Sequence, residues 1–345
     1  MPGVRDIKRR IRSIKNTQQI TKAMKMVAAA KLRKAQSAIA STRPYAEKLE
    51  EVMARLLTGL GFQHKLLEER PARRVGLVVI TGDRGLCGGY NANVIRLAEK
   101  QLKEVAATVV TIPVKKSSRG FFRWFRKNQK PKQEMKAITA AKAKRGRGFF
   151  RWLTRSQQEA DVQEVAATAA IMAVGKRGND YFRRRQLPIE RCVENLGDNP
   201  TFAQAKQLAR ELMRLFLTGE LDQVHLIYNQ YLTAIRHQPV AVQLLPMRLV
   251  SEPGPARGKN LTYLYEPSQS KVLEDLLPKQ VEMLVFQALL EAKASEHGAR
   301  MTAMTSATEN AGEMIDKLTL SFNRARQAAI TKEINEVVSG AQALK

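Results

Sequence analysis

Helix-forming sequence occupies both ends of this 345-residue chain, and that limits its fold more than any other feature. No glycine occurs between Gly3 and Gly59, and from Val4 the apolar residues fall at Ile7, Ile11 and Ile14. Alternating spacings of three and four place that stripe on one helix face. Further on it thins to Thr21, Met24, Ala28, Leu32 and Ala35 before a branched residue returns at Ile39. Small residues on a seam let two helix backbones approach closely, so the thin stripe predicts a tightly paired antiparallel coiled coil. The partner stripe runs through Val281, Leu284, Ala288, Ala292, Ser295 and Ala299, then Phe322, Ile330, Ile334, Val337 and Ala341. A helix from about Lys279 to Ala341 would be roughly 95 Å long at 1.5 Å per residue and has to protrude from any ordinary domain. Pro44 predicts a kink or local unwinding of the first helix, because it lacks an N–H and crowds the preceding turn. The blander reading is two amphipathic helices of a bundle, which the length of both segments weakens.

Between the ends the chain reads as α/β. Arg74–Thr81 is a continuous β-branched run suited to a strand buried on both faces. The glycine-rich GDRGLCGGYN then turns into the helix NANVIRLAEKQLKEV. Strand, glycine loop and helix invite a nucleotide. Gly82, Gly85, Gly88 and Gly89 do not have the GxGxxG spacing, however, and no Gly-Lys-Ser/Thr follows, so no cofactor is expected. Thr201 with Gln204 reads as a capping box opening a helix with Phe202, Ala205, Ala209, Leu212 and Phe216 on its apolar face, ended by Gly219. Gln223–Tyr231 and Gln238–Pro246 read as two strands joined by a polar turn. His225 has no second ligand-type residue near it and is expected to be a packed or edge histidine. Cys87 and Cys192 are far apart, which argues against a disulfide framework or a zinc site. No catalytic constellation or metal-ligating cluster stands out.

Three blocks resemble the gamma subunits of F-type ATP synthases: RDIKRRIRSIKNTQQITKAMKMVAAAKLRKAQ, VGLVVITGDRGLCGGYNANV and RARQAAITKEINEVVSGA. They occur in the family's order, and the resemblance covers roughly residues 1–104 and 171–345. It implies a Rossmann-like α/β domain without a cofactor, over residues 66–265. That domain would stand between an N-terminal coiled-coil helix (1–65) and a C-terminal one (266–345). It also implies a central rotor shaft turning inside an α3β3 hexamer, docked with the epsilon subunit on a membrane c-ring, peripheral to the cytoplasmic face of a bacterial membrane. Catalysis would belong to the neighbouring subunits. Matching the family's contact motifs implies subunit contacts at Met24, Arg84, Cys87, Arg326, Gln327 and Thr331, and an apolar bearing tip at Ile330, Ile334, Val337 and Val338. Plant chloroplast relatives carry a closely spaced cysteine pair; this chain has none, so no thiol switch is expected.

A net charge of +27 raises the competing reading, a basic coiled-coil nucleic-acid-binding protein. Its distribution tempers that reading. Eleven basic residues stand against Asp6 alone between Arg5 and Lys34, which would sheathe the coiled coil in positive charge. The resemblance implies that such a shaft faces acidic loops, through exposed pairs worth only about 0–1 kcal/mol each. No apolar run approaches the roughly 18 residues needed to cross a bilayer, and the basic start lacks the apolar stretch of a signal peptide, so a cytosolic protein is expected.

Residues from about 105 to 170 depart from the family pattern and contain repeats. RGFFRWF at Arg119–Phe125 recurs as RGFFRWL at Arg147–Leu153 and loosely as RGNDYFRRR at Arg177–Arg185, and EVAAT occurs at Glu104–Thr108 and Glu164–Thr168. Tandem duplication of a strand and turn is inferred, with only the third copy expected in the sheet. Fifteen Lys or Arg and one acid, Glu134, lie between Thr111 and Gln157. A helical Phe121–Lys127 would gather Phe121, Phe122, Trp124 and Phe125 on one side, and with Trp152 these aromatics fit contact with an anionic membrane surface. They also fit RNA stacking, and the blandest reading is a surface insertion.

Overall fold

A computed structural model describes residues 4–57, 64–113, 162–194, 196–247, 266 and 268–343. Helix α1 (Val4–Leu57) and helix α5 (Gln269–Ala343) enclose β1 (Arg74–Ile80), α2 (Tyr90–Ala107), β2 (Val109–Pro113) and β3 (Val162–Ala166). After these come β4 (Thr168–Val174), α3 (Lys176–Arg184), β5 (Ile189–Val193), α4 (Phe202–Leu217), β6 (Gln223–Tyr231) and β7 (His237–Leu245). The aromatic residues Phe121, Phe122, Trp124, Phe125 and Trp152 lie outside the described residues, as do the first two RGFFRW copies.

Helices α1 and α5 run antiparallel. Gln269 Nε2 donates to the Leu56 carbonyl at one end of the pairing, and further along it Thr308 Oγ1 donates to Thr21 Oγ1 at 2.8 Å. The predicted seam is the buried one: Ile7, Thr21, Ala28, Leu32 and Ala35 are buried, and Ile11, Ile14, Met24 and Ile39 are half-buried. α5 begins at Gln269, ten residues before the stretch measured from about Lys279, and passes through Pro278, and α1 passes through Pro44 without a break in its helix. Proline cannot donate to the carbonyl four residues back and still sits in a helix whose neighbours hold it by packing. That packing wins here: Leu49, Met53, Leu56, Leu273, Leu277 and Val281, around the two prolines, all belong to one buried cluster. At 75 residues, α5 is about 112 Å long.

The five-stranded sheet has the order β5-β4-β1-β6-β7, parallel except for β7, which pairs antiparallel with β6. β1 is a continuous apolar run because both its faces are covered. Val75, Leu77 and Val79 pack under α2 and α3, while Val78 and Ile80 face α4 and the inner ends of the two long helices. α4 opens with the predicted capping box, Gln204 N donating to Thr201 Oγ1 and Thr201 N to Gln204 Oε1, and stops where Gly219 adopts φ +78°. Ala205, Ala209, Leu212 and Phe216 are buried as expected, but Phe202 is exposed and meets Phe286 edge-on at 5.5 Å. The third copy of the repeat, Arg177–Arg185, forms α3 and its C-cap directly after β4 and supplies no strand residue. EVAAT takes two shapes: residues 104–107 finish α2 and residues 164–166 belong to β3.

Candidate subunit interface: the shaft and the loop seated on it

In a doubly wound sheet, ligands bind beyond the carboxyl ends of the strands where the strand order reverses. Here that point lies between β1 and β6, and α5 fills it. Ser295 Oγ donates to the Asn229 carbonyl at 3.0 Å, Asn229 Nδ2 donates to the Tyr90 carbonyl at 3.1 Å, and Tyr90 Oη donates to the Ala292 carbonyl at 2.9 Å. These bonds tie the end of β6, the start of α2 and the shaft into one unit. Gly298 is required where α5 crosses the β6–β7 turn, since a Cβ there would stand 2.7 Å from the Ala234 carbonyl oxygen.

The glycine loop after β1 wraps the same stretch of α5. Arg300 donates to the Gly85 carbonyl through Nε and Nη2, and its Nη2 also pairs with Glu296 Oε1 at 2.7 Å. Lys293 reaches Glu296 Oε2 at 3.1 Å and Asp83 Oδ2 at 3.8 Å, and Asp83 Oδ1 accepts from Lys176 N. Where a phosphate-binding loop offers N–H groups to an anion, this loop gives carbonyl oxygen to an arginine of its own chain. Gly82 N is taken by Asn91 Oδ1 at 2.9 Å. Lys293, Glu296, His297 and Arg300 are all buried. Burial pushes the Glu296 carboxyl up, and Lys293 and Arg300 more than reverse this, so it titrates below its ordinary value. His297 is held below its ordinary value, chiefly by burial and then by Arg300 and Lys293 against the opposing Glu296 and Asp198. Its Nδ1 faces Arg300 Nη1 at 3.3 Å, and its Nε2 is buried with no hydrogen-bond partner among the described residues. Lys31 of α1 donates to Asp198 Oδ2 at 2.6 Å and lowers that carboxyl.

The sequence-derived contact residues fall into separate groups. Met24 is half-buried on the seam, and Arg84 projects from the glycine loop. Arg326, Gln327 and Thr331 are exposed on α5, as are Ile330, Ile334, Val337 and Val338. Cys87 is 2% exposed, packed with Tyr90 and Ala299, and burial raises its thiol. The outward apolar residue of that loop is Leu86, 61% exposed at φ +61°. His225 is half-buried within β6, with Nε2 at 3.4 Å from Gln223 Oε1. The sequence reading missed the buried charges of EAKASEHGAR altogether, because a charged helical segment reads as solvated until a domain is found wrapped around it.

The profile of the family described as ATP synthase matches residues 3–145 and 148–344. The chain is 46% identical over 346 residues to the ATP synthase gamma chain of Moorella thermoacetica and 45% identical over 350 residues to that of Heliobacterium modesticaldum, each covering 100% of both chains. The chain belongs to the ATP synthase gamma-chain family. In fold it is similar to a chain of the Euglena gracilis mitochondrial ATP synthase, OSCP/F1/c-ring in rotational state 3, with TM-score 0.59 and 18% identity over 99% of this chain and 94% of that one. A chain of the rotor of the same organism's enzyme in rotational state 1 gives TM-score 0.54 at 17% identity, over 95% of this chain and 98% of that one. One expectation is overturned. The segment of about residues 105–170 is not an addition peculiar to this gamma-family chain, since the profile runs through it and relatives of the same length align over their whole extent.

Proposed function

We propose that this gamma-family chain is the central-stalk rotor of an F-type ATP synthase, coupling ion-driven rotation of a membrane c-ring to conformational change in α3β3. The observation that carries it is the exposed length of α5. It leaves the α/β domain, outruns its partner helix and ends in uncovered apolar residues, Val337 being 72% exposed. Such a tip fits an apolar sleeve while making few directional bonds that would lock it at one angle. An off-axis shaft presents different faces to three identical catalytic sites and so biases each toward a different conformation. The three-part division at about residues 65 and 265 separates that shaft from a base able to meet the epsilon subunit and the c-ring. The working position would be peripheral, on the cytoplasmic face of a bacterial membrane. Catalytic groups would be supplied by the neighbouring subunits. Full-length relatedness to gamma chains leaves the nucleic-acid reading without support.

Arg326, Gln327 and Thr331, with Met24 and Arg84, are the residues expected to touch partners. Arg326 and Gln327 can hydrogen-bond a catalytic-subunit loop, and the guanidinium keeps its charge at every working pH. Mixing the chain with α and β subunits should yield ATPase activity. Arg326→Ala with Gln327→Ala should then lose ion-coupled ATP synthesis in the reconstituted complex. Retention of full coupling by the double variant would remove these residues from the interface.

A further inference from the structure

Helices α2 and α3 stand side by side on one face of the sheet and leave between them an open cleft of about 420 Å³. Three arginines line it, Arg96 from α2 and Arg177 and Arg184 from α3, and none of them makes an ion pair among the described residues. Among the described residues Asp180 is the one carboxylate lining the cleft. The neighbouring acid, Glu99, is already engaged: it accepts from Tyr181 Oη at 2.8 Å and pairs with Arg185 at 3.5 Å, and Arg185 in turn lies over the Tyr181 ring. The positive charge of the cleft is therefore unspent. Ala92 and the Tyr181 ring add apolar surface to its walls.

We propose that the α2–α3 cleft is a docking groove for an acidic helix of another protein subunit. Arg177 and Arg184 are seven residues apart on one face of α3, about 10 Å along its axis, which exceeds the span of a single phosphate group. A helix carrying carboxylates two turns apart matches that spacing, and each guanidinium can take a carboxylate bidentately. An apolar side chain between the two acids would rest against Ala92 and the Tyr181 ring. The groove adjoins the loop seated on the shaft: a Cβ at Gly85 would lie 3.2 Å from Arg177 Nη2. A helix bound there would ride with the shaft.

This rests on the rotor reading for its source of partners, so the test uses the assembled ATP synthase. A photo-crosslinking p-benzoylphenylalanine at the exposed Ala92 position is irradiated in the complex, and the joined peptides are read by mass spectrometry. The expected product links this chain to a segment of another subunit with at least two Asp or Glu seven residues apart. Its yield should fall at least fivefold in Arg177→Glu with Arg184→Glu and stay unchanged in Lys103→Glu, which alters an exposed charge elsewhere on α2. Arg177→Gln with Arg184→Gln provides a milder variant, with circular dichroism confirming that each is folded. Products confined to this chain, products with lipid, or a yield indifferent to the double reversal would overturn the proposal. Failure of the complex to assemble with the unmodified chain would instead count against the rotor reading.

Discussion

One helix behaves as two different objects along its length. From Ala288 to Arg300, α5 is buried on every face, whereas from Asp316 to Gly340 its side chains are mostly exposed. In the first stretch buried acids and bases neutralise one another against the glycine loop. The second carries Leu320, Ile330, Ile334 and Val337, which nothing among the described residues covers. The lesson is that α5 is fastened at its base by the domain that encloses it and left free at its end. A helix built only for stability would have buried the apolar residues and exposed the charged ones.

Removing a charge from the fastened stretch should have the largest effect. Arg300→Met leaves Glu296 buried with Lys293 as its remaining partner, and urea unfolding should show a loss of about 3 kcal/mol. A variant as stable as the parent would mean that the ion cluster does not hold the loop. Next comes Gly298→Ala, where the new methyl group meets a backbone carbonyl that cannot turn aside; about 1–3 kcal/mol should be lost in the same measurement.

Acidity offers a gentler probe. His297 has a depressed folded pKa, so below about 6.5 the unfolded chain binds a proton that the folded chain refuses, and stability falls as pH drops. Glu296 is also depressed and adds its own loss only further down, below its ordinary carboxylate range. Thermal unfolding at pH 7.5 and 5.5 should therefore show a smaller drop for His297→Gln than for the parent chain, and equal drops would rule His297 out. The smallest effect belongs to the free end. Ile334→Ala and Val337→Ala should each change the stability of the isolated chain by no more than about 0.5 kcal/mol, since neither side chain is covered. A larger loss would show that the tip folds back on the chain.

What the sequence disclosed follows the range of the interactions involved. The seam of α1 was legible because three-and-four spacing is a local signal, as were the capping box of α4 and the uniform apolar run of β1. The apolar stripe alone did not mark the start of α5, because Pro278 is held inside the helix by tertiary packing that no local pattern shows. EVAAT makes the same point: the same five residues end and cap a helix in one place and contribute to two strands in another, so their neighbours decide. The filled crevice was hidden for a further reason. It brings Tyr90, Asn229 and Ser295 together from three distant parts of the chain, and no periodicity in any one of them announces the meeting. The burial of Cys87 was hidden likewise, because a glycine loop looks open until the helix beneath it is known.

The unequal lengths of the two long helices also set the elasticity of the shaft. α1 starts at Val4, and continuing the pairing outward from Thr21 and Thr308 exhausts it about 25 Å further along α5. Twisting a paired segment forces seam side chains to slide past one another, and a lone helix meets no such resistance. The shaft is thus stiff where the domain grips it and grows compliant toward its end. Under torque it would wind most over its last turns, storing strain where the gripping loop is not disturbed.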